Sequence, residues 1–254
     1  MDIILYNILV AFLLINIGYF FGSIPNGIWI GKIFFHKDPR DFGSGNSGGT
    51  NVGRVFGKKI GLLVIILDAL KVIAPLFAAW AILVYVPMYN GLPLVPGADI
   101  KISQDTSNYL INWPIYWLVP IGSTLGHCWP IFCQFRGGKN VSSFVGFTVS
   151  TSWLFGFVPG IIFLLILKLK KMVSVASISF GWISLTLSWI WSILILTGVI
   201  QGSNIWIPGY GVPFEFGYVY SCVLTFVVVV LTIRHRSNIQ RIKDGTENKI
   251  KWMK

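Results

Sequence analysis

The chain has 254 residues, of which 54% are hydrophobic and only 11% charged, and its formal net charge is +11. Soluble domains usually carry about a quarter charged residues, so this composition, with a mean hydropathy of +0.72, excludes an ordinary soluble domain. The basic residues lie almost wholly between apolar runs, which is how membrane topology is encoded, so the net charge does not indicate a nucleic-acid partner.

Several apolar runs are long enough to cross a bilayer, because a helix needs about 20 apolar residues to do so. The clear candidates are Ile3–Ile30, Ile60–Val86, Trp113–Cys133, Ser177–Val199 and Phe216–Ile233. The stretch Val141–Leu167 is either one long span or two short spans broken near Gly156, Pro159 and Gly160.

The distribution of Lys and Arg decides between these alternatives. With two short spans, 18 of the 20 Lys and Arg residues fall on one side of the membrane, whereas one long span divides them almost evenly. The positive-inside rule therefore favours two short spans. The predicted fold is all-α: a single integral-membrane domain over residues 1–254, with seven transmembrane helices, the N-terminus outside and the C-terminus cytoplasmic.

Three cysteines, Cys128, Cys133 and Cys222, lie in or beside apolar segments, and none belongs to a CxxC pair. They are predicted to be buried small residues, and neither a metal site nor a disulfide framework is expected.

The first polar motif is a glycine-rich loop followed by a basic residue. It contains Gly43, Ser44, Gly45, Asn46, Thr50 and Asn51, and Arg54 follows. Glycines let backbone N–H groups turn inward to form an anion-binding concavity. The polar side chains add neutral donors, and Arg54 suits bidentate binding of a phosphate. The alternative is a flexible polar loop with incidental glycines.

The second motif, Gly137-Gly138-Lys139, opens an apolar segment and resembles a phosphate loop in which lysine supplies a point charge. It lacks the GxxxxGK[ST] spacing, so a nucleoside triphosphate site is not expected. A basic stop at the membrane interface is the alternative explanation.

Two further motifs follow later in the chain. Ser174 and Ser177, at i and i+3, face one way if the segment is helical, although small residues also serve helix packing. His235, Asn238 and Arg241 share one face if the last helix continues, and Glu247 follows. A basic juxtamembrane tail that touches anionic lipid is the alternative for this motif.

Two other pairs of ionisable residues have a spacing that suggests a role. Asp68 and Lys71 stand three residues apart within a predicted span, and we expect a structural ion pair that braces the site, because intramembrane ions are usually paired or functional. His36 and Asp41 fit the H-x4-D signature of acyltransferases that use thioester donors. That pattern arises easily by chance, and Pro39 disfavours the helix that would join the two residues.

Together the four motifs, with Gly22-Ser23-Ile24-Pro25 in the first span, resemble the acyl-phosphate–glycerol-3-phosphate acyltransferase family of bacterial membranes (PlsY-type) from about Gly22 to Lys249. The resemblance implies transfer of an acyl group from acyl phosphate to the 1-hydroxyl of sn-glycerol 3-phosphate, giving lysophosphatidic acid without a cofactor. It also implies a multi-pass enzyme of the bacterial inner membrane, in contact with membrane lipid, with a cytoplasmic active site. A functional link to a soluble acyl-phosphate synthase is implied as well.

The resemblance also implies residue roles. Ser44, Asn46 and Arg54 line the active site, Lys139 with Gly137 and Gly138 holds phosphate, and Ser174 or Ser177 engages glycerol phosphate with His235 and Asn238. Catalytic roles are expected for Ser44, Arg54, Lys139, His235 and Asn238. Substrate-binding roles are expected for Gly43, Gly45, Asn46, Thr50, Asn51, Gly137, Gly138, Ser174, Ser177, Arg241 and Glu247.

The sequence departs from the family pattern at three positions. Gly49 replaces an alanine, Val72 replaces a glycine, and Asn140 replaces the glycine after Lys139. A side chain at position 140 is expected to crowd a bound phosphate. A transporter of phosphorylated solutes and a non-catalytic lipid-binding scaffold are the rival functions, but a transporter needs polar groups along a path through the membrane, and here they crowd one face.

Overall fold

The structure, a computed structural model, describes residues 3–86, 114–200 and 216–250. Its helices are α1 (Ile3–Gly22), α2 (Asn26–Phe35), α3 (Gly49–Phe56), α4 (Lys58–Tyr85), α5 (Leu118–Cys128), α6 (Val141–Thr151), α7 (Val158–Lys170), α8 (Val173–Leu196), α9 (Tyr218–Arg234) and α10 (Arg236–Lys243). Short 3-10 turns lie at Pro39–Asp41, Ile115–Trp117 and Ile131–Cys133, and a π-helical turn at Trp153–Phe157. Every regular element in the described ranges is helical, as the fold-class prediction required.

The helices present an apolar surface suited to lipid. Within the described residues, four helical stretches are long and apolar enough to cross a membrane: Leu5–Phe35, Lys58–Tyr85, Trp153–Lys170 and Val173–Leu196. Helices α9 and α10, which meet at 54°, make a fifth if they are taken together. Large apolar side chains on the outside, such as Phe12 (63% exposed) and Leu164 (57%), would be costly in water and are expected in a bilayer.

The predicted first span is interrupted, because α1 ends at Gly22 and α2 begins only at Asn26. Proline at position 25 has no N–H group to continue a helix. The carbonyl of Ile24 lies in the break between the two helices, and the buried Lys71 Nζ donates to it at 3.0 Å. Lys71 Nζ also pairs with Asp68 Oδ1 at 3.1 Å. Asn26 Nδ2 also donates to Asp68 at 3.0 Å. Asp68 and Lys71 therefore form the ion pair that we predicted, and it stabilises the break between α1 and α2; that the pair braces the site stays a prediction.

The stretch 141–167 does fold as two helices, but the break comes earlier than predicted. Helix α6 ends at Thr151, and Ser152 is extended, with its hydroxyl accepting from Phe155 N at 3.3 Å. Pro159 lies in the first turn of α7, where the missing N–H costs nothing. Gly156 permits a close approach, since a Cβ there would overlap the Thr148 carbonyl.

Helices α1 and α5 pack closely through glycines. Gly18 and Gly22 are spaced like Gly122 and Gly126, and a Cβ at any of the four would overlap a backbone atom of the other helix. Small residues at this spacing let helix backbones approach within membranes, where van der Waals packing replaces the hydrophobic effect. This contact fixes α5, and with it His127 and the loop that follows.

The apolar core is partly an aromatic cluster. Trp117 contacts Tyr220 with ring centroids 4.9 Å apart, and Tyr220 also contacts Phe155 at 5.4 Å and Phe216 at 5.2 Å. The cluster joins the turn before α5, the π-helical turn and α9.

One cysteine prediction was wrong. Cys128 and Cys133 are buried as predicted, but Cys222 is exposed. Cys222 lies on the outer side of α9, whereas the adjacent residues Ser221 and Val223 face inward.

Candidate active site

The glycine-rich loop before α3 is shaped by two left-handed residues and one buried side chain. Gly43 and Gly45 have φ of 63° and 68°, a region that other residues rarely adopt. Asn51, in the first turn of α3, donates through Nδ2 to the carbonyls of Pro39 (2.8 Å) and Asn46 (2.8 Å). Its Oδ1 accepts from Ser44 N at 2.7 Å and from Ser44 Oγ at 3.1 Å.

Asn51 therefore holds the loop together. The prediction that it offers a free donor to substrate is wrong, because its amide hydrogens point at loop carbonyls. Ser44 remains at the surface of the site, with its hydroxyl donating to Asn51 and its lone pairs left to accept.

The loop that carries the second motif, Gly137-Gly138-Lys139, is called the second loop. Hydrogen bonds hold it at both of its glycines. Gly137 N donates to Cys128 O at 3.3 Å and Gly138 N donates to His127 O at 3.0 Å. Gly138 lies so close to the His127 ring that a Cβ there would overlap Nε2. Arg234 donates from Nη2 to Gly137 O at 3.0 Å and from Nε to Gly138 O at 3.1 Å.

Asn140 does not crowd the site, contrary to our expectation. It adopts φ of 64°, a left-handed conformation that Asn tolerates better than most residues, which accounts for a glycine at this position in the family pattern. Its buried Nδ2 donates to Thr124 Oγ1 at 2.8 Å, so the side chain is turned toward α5. It does not line the polar cavity described below.

Glu247 connects the last two motifs. Its Oε1 accepts from Ser174 Oγ at 2.7 Å and from Asn238 Nδ2 at 2.6 Å, and its Oε2 accepts from Arg241 Nε at 2.8 Å. Burial opposes ionisation, but these three hydrogen bonds and the Arg241 charge hold the pKa of Glu247 below its usual value. Glu247 is thus an ionised carboxylate with both oxygens engaged by protein.

Lys139 extends this network to the second loop. Its Nζ donates to Asn238 Oδ1, and Asn238 in turn donates to Glu247. Burial, together with the nearby positive charge of Arg241, lowers the pKa of Lys139 to about 8. A hydrogen-bonded chain therefore joins Lys139, Asn238, Glu247 and Ser174.

His235 lies at the junction between α9 and α10, where the chain bends. Its Nδ1 is 2.8 Å from Leu231 O, and a carbonyl can only accept, so Nδ1 carries the proton. In the neutral ring, Nε2 then has a free lone pair. The geometry suits a proton acceptor.

The four motifs converge on one polar cavity of about 80 Å³, which we call the first cavity. The predicted residues that line it are Ser44, Asn46, Thr50, Asn51, Arg54, Lys139, Ser174, Ser177, His235, Asn238 and Glu247. Arg54, in the last turn of α3, is exposed, and its side chain makes no hydrogen bond or ion pair with the described residues.

Some predicted residues lie behind the cavity wall. Gly43, Gly138 and Arg241 do not line the first cavity or the neighbouring one, which includes Gly45 and Gly137. Gly43 and Gly138 shape the two loops. Arg241 contacts the site only through its hydrogen bond to Glu247. His36 and Asp41 also line neither cavity, so the H-x4-D pattern has no place in this site.

Sequence reasoning missed several lining residues. His127, Ser142 and Asn248 line the first cavity, and Trp129, Arg234 and Arg236 line the neighbouring one. His127 and Trp129 belong to the segment Gly126–Pro130, which forms the first part of the second motif, and the two arginines flank His235 in the fourth; no role was predicted for any of them. Their closeness to recognised motif residues was the available signal.

The chain is similar to known proteins over nearly its whole length. The profile of a family described as glycerol-3-phosphate acyltransferase matches residues 12–245. A glycerol-3-phosphate acyltransferase of Enterococcus faecalis (strain ATCC 700802 / V583) is 34% identical over 244 residues, which cover 94% of this chain and 92% of the relative. One of Staphylococcus aureus (strain bovine RF122 / ET3-1) is 37% identical over 239 residues, which cover 93% and 96%.

Two solved structures are also similar. The crystal structure of PlsY (YgiH), an integral membrane glycerol 3-phosphate acyltransferase, in its glycerol 3-phosphate form, matches with a TM-score of 0.67 at 27% identity. The match covers 95% of this chain and 96% of that one. The lysophosphatidic acid form of the same protein matches with a TM-score of 0.66 at 26% identity, covering 95% of each chain.

Proposed function

Because the chain belongs to the glycerol-3-phosphate acyltransferase family, of the PlsY type, we propose that it transfers an acyl group from acyl phosphate to the 1-hydroxyl of sn-glycerol 3-phosphate. The products are lysophosphatidic acid and inorganic phosphate. One observation carries the proposal: four motifs far apart in sequence meet at one polar cavity, and the Arg54 side chain in its wall has no partner among the described residues.

The charge of the cavity suits phosphorylated substrates. Arg54 and Lys139 both line it, and the one carboxylate among its lining residues, Glu247, is already engaged by Ser174, Asn238 and Arg241. The cavity therefore presents net positive charge. Two anionic substrates repel each other, and fixed cations can hold them close enough to react.

The positions of the residues support the roles that we propose for them. Arg54 and Lys139 bind phosphate oxygens, and the side-chain amide of Asn46 offers a donor to the acyl phosphate. Gly43, Ser44 and Gly45 give this loop its shape, because the Ser44 N–H and hydroxyl already donate to Asn51 and the Gly45 N–H donates to Phe42 O. Thr50 lies at the edge of the loop. The glycerol phosphate lies against Ser174, Ser177, His235 and Asn238. Asn51, Arg241 and Glu247 position these groups, and Gly137 and Gly138 fix the backbone conformation that places Lys139 in the cavity.

The reaction is a direct transfer. The glycerol 1-hydroxyl oxygen attacks the acyl carbonyl carbon, a C–O ester bond forms, and the bond from the acyl carbon to the phosphate oxygen breaks. Phosphate leaves with the bonding electron pair. The hydroxyl proton passes to His235 Nε2 or to an oxygen of the acyl phosphate, and it leaves on hydrogen phosphate in either case.

The membrane arrangement belongs to the same proposal. We count α1 with α2 as one span and α4, α5, α6, α7, α8 and α9 as six more, with the N-terminus outside and the site on the cytoplasmic face of the bacterial inner membrane. The positions of two serines support this count. Ser142 lies at the start of α6, Ser174 lies just after α7, and both line the first cavity, so α6 leads away from the cavity and α7 leads back to it. The whole chain then acts as one domain, and a soluble acyl-phosphate synthase supplies the donor.

Acylation of labelled glycerol 3-phosphate by the purified protein tests the proposal. We expect lysophosphatidic acid and one phosphate per product when acyl phosphate is supplied, and near-complete loss with Arg54→Ala. Acyl phosphate alone, followed by denaturation, should leave no acyl group on the protein. A trapped acyl-enzyme would disprove direct attack. Uptake of glycerol 3-phosphate into proteoliposomes without acylation would show that the protein is a transporter and not an acyltransferase.

A further inference from the structure

Exposed aromatic side chains lie where α2 meets the turn Ile131–Cys133. Trp29 of α2 contacts Phe132 of the turn, with ring centroids 6.4 Å apart, and both side chains are exposed. Phe135, just after the turn, is 56% exposed. A group of exposed apolar side chains indicates an interaction surface. We use the name interfacial surface for Trp29, Lys32, Phe132, Phe135 and Arg136.

Cations accompany these aromatic side chains. Arg136 follows Phe135 directly and is exposed, and its side chain makes no hydrogen bond or ion pair with the described residues. Lys32, one helical turn after Trp29, is also exposed, and its Nζ lies 3.5 Å from Asp38 Oδ2. The net charge of the region is +2, because it contains four cations and two carboxylates: Lys32, Lys37, Arg40 and Arg136 with Asp38 and Asp41.

The backbone that carries Phe135 is held in an unfavourable conformation. Phe135 has φ of 57°, a left-handed value that bulky residues rarely adopt. The Arg40 Nη1 donates to the carbonyls of Cys133 at 3.4 Å and Arg136 at 3.2 Å, and Asp38 fixes Arg40 through hydrogen bonds of 2.7 and 3.0 Å. Glycine would adopt this φ at lower cost. What phenylalanine adds at position 135 is therefore its exposed side chain.

We propose that the interfacial surface binds an anionic phospholipid. The headgroup phosphate lies between Lys32 and Arg136, which bind its oxygens through charge-assisted hydrogen bonds. The first carbons of an acyl chain lie against the three aromatic side chains, whose rings suit the level of the headgroups.

The combination of groups favours a phospholipid over other partners. An acidic soluble protein would leave the aromatic side chains without a counterpart, and hydrocarbon alone would leave the cations unpaired, whereas a phospholipid supplies both. In the proposed membrane arrangement, α2 and α5 end at the cytoplasmic surface, where headgroups lie. Only this placement rests on the proposed function.

Native mass spectrometry of the purified protein in detergent tests the site, with phosphatidylglycerol and phosphatidylcholine titrated in parallel. The wild type should bind one phosphatidylglycerol more tightly than phosphatidylcholine. Arg136→Gln should weaken phosphatidylglycerol binding about fivefold and the double variant Lys32→Gln/Arg136→Gln about 25-fold, which corresponds to about fivefold for each cation near an anionic headgroup. Lys243→Gln is the control, because Lys243 is an exposed cation of α10 outside the interfacial surface, and it should bind like wild type.

Phe135→Gly separates lipid binding from folding. Without lipid, its unfolding temperature should equal or exceed that of wild type, because glycine accepts φ of 57°. Its binding of phosphatidylglycerol should nevertheless weaken at least about threefold, since apolar contact with the lipid is lost. Leu169→Ala, which shortens a 78% exposed side chain of α7, is the matched apolar control and should bind like wild type.

The other outcomes overturn the inference. Equal binding of the two lipids by the wild type, or unchanged binding in the double variant, would remove the headgroup site. Release of phosphatidylglycerol by inorganic phosphate would show a simple anion site, and release by acyl phosphate would assign the surface to the substrate. Lipid binding is measured without acyl transfer, so a protein that binds phosphatidylglycerol as described but does not acylate glycerol 3-phosphate would disprove the proposed function alone.

Discussion

Ser174 Oγ donates a 2.7 Å hydrogen bond to Glu247 Oε1, although the two residues are 73 positions apart. The C-terminal segment reaches the start of α8 through this bond, and Ile250 N donates to Lys171 O at 2.7 Å just beyond it. The buried Ile250 packs with Leu167 and Ala176. The segment after α10 is therefore a wall of the site.

Glu247→Gln should impair catalysis more than folding. The substitution keeps the size of the side chain but removes the charge that Ser174, Asn238 and Arg241 bind, so Asn238 and Lys139 lose their fixed positions. We expect kcat/KM to fall about 10- to 100-fold, the range for a hydrogen bond to a charged group. Asp244→Asn, which alters an exposed carboxylate bonded to Gln240, is the control and should keep wild-type activity. Equal loss in both variants would contradict a specific role for Glu247.

Arg54→Ala should reduce acyl transfer at least about a hundredfold, since it removes a preorganised cation from the reacting anions. Arg54 is exposed and unpartnered within the described residues, so its loss should not lower thermal stability. Arg54→Lys should recover only part of the activity, because lysine cannot bind bidentately. Lys59→Ala, an exposed cation outside both cavities, is the control. Full activity of Arg54→Ala would place the phosphate elsewhere.

The pH dependence should reveal Lys139. Its pKa is lowered to about 8, so the free enzyme loses the Lys139 charge as pH rises through that value. The kcat/KM should fall on the alkaline side with a midpoint near pH 8, while the phosphate of the substrate, with a second pKa of about 6, remains a dianion. Lys139→Arg should move this limb out of the accessible range, because arginine stays charged. An unchanged limb in that variant would assign the titration to another group.

Asn140→Gly should leave the KM for glycerol 3-phosphate unchanged within about twofold, because the Asn140 side chain points to Thr124 and not into the cavity. Stability should fall by less than about 1 kcal/mol, because the loss of one hydrogen bond is offset by the ease with which glycine adopts the left-handed φ of 64°. Thr124→Val removes the same bond from the other side and should be more destabilising, because it leaves the buried Asn140 amide without a partner. A tenfold gain in affinity in Asn140→Gly alone would restore the idea that Asn140 crowds the phosphate.

Gly122→Ala should destabilise the protein by about 1–3 kcal/mol, because its Cβ would overlap the Ile15 carbonyl across the α1–α5 contact. Gly160→Ala is the matched control: the nearest atom to a Cβ there is Phe180 Cε2 at 3.9 Å, so the helix should be unchanged or slightly more stable. Thermal unfolding in detergent measures both. Equal unfolding temperatures would mean that the α1–α5 contact adjusts to the methyl group.

Each of the four motifs could be recognised in the sequence because each has its own local signature, and the family resemblance implied that they meet in one site. Glycines before Arg54, a glycine pair before Lys139, and hydroxyl or amide groups at helical spacing are all visible in short windows. The uneven distribution of Lys and Arg then predicted that all four motifs lie on one side of the membrane. It also predicted that the stretch containing α6 and α7 crosses the membrane twice.

Side-chain direction could not be read in the same way. Asn51 has the same polar character as Asn46, but only the fold shows that it points at loop carbonyls. Asn140 was misread for the same reason, since its contact with Thr124 depends on how α5 approaches the loop. The break at Ser152 depends on a hydroxyl that caps the π-helical turn, a weaker signal than the nearby Gly156 and Pro159.

Labelled glycerol 3-phosphate, offered to the purified protein with acyl phosphate and acyl-CoA in parallel reactions, tests the central claim most directly. We predict lysophosphatidic acid from acyl phosphate alone, with equal activity in the His36→Ala variant, because His36 and Asp41 line neither cavity. Product from acyl-CoA that disappears in His36→Ala would contradict the claim and return catalysis to the H-x4-D pair.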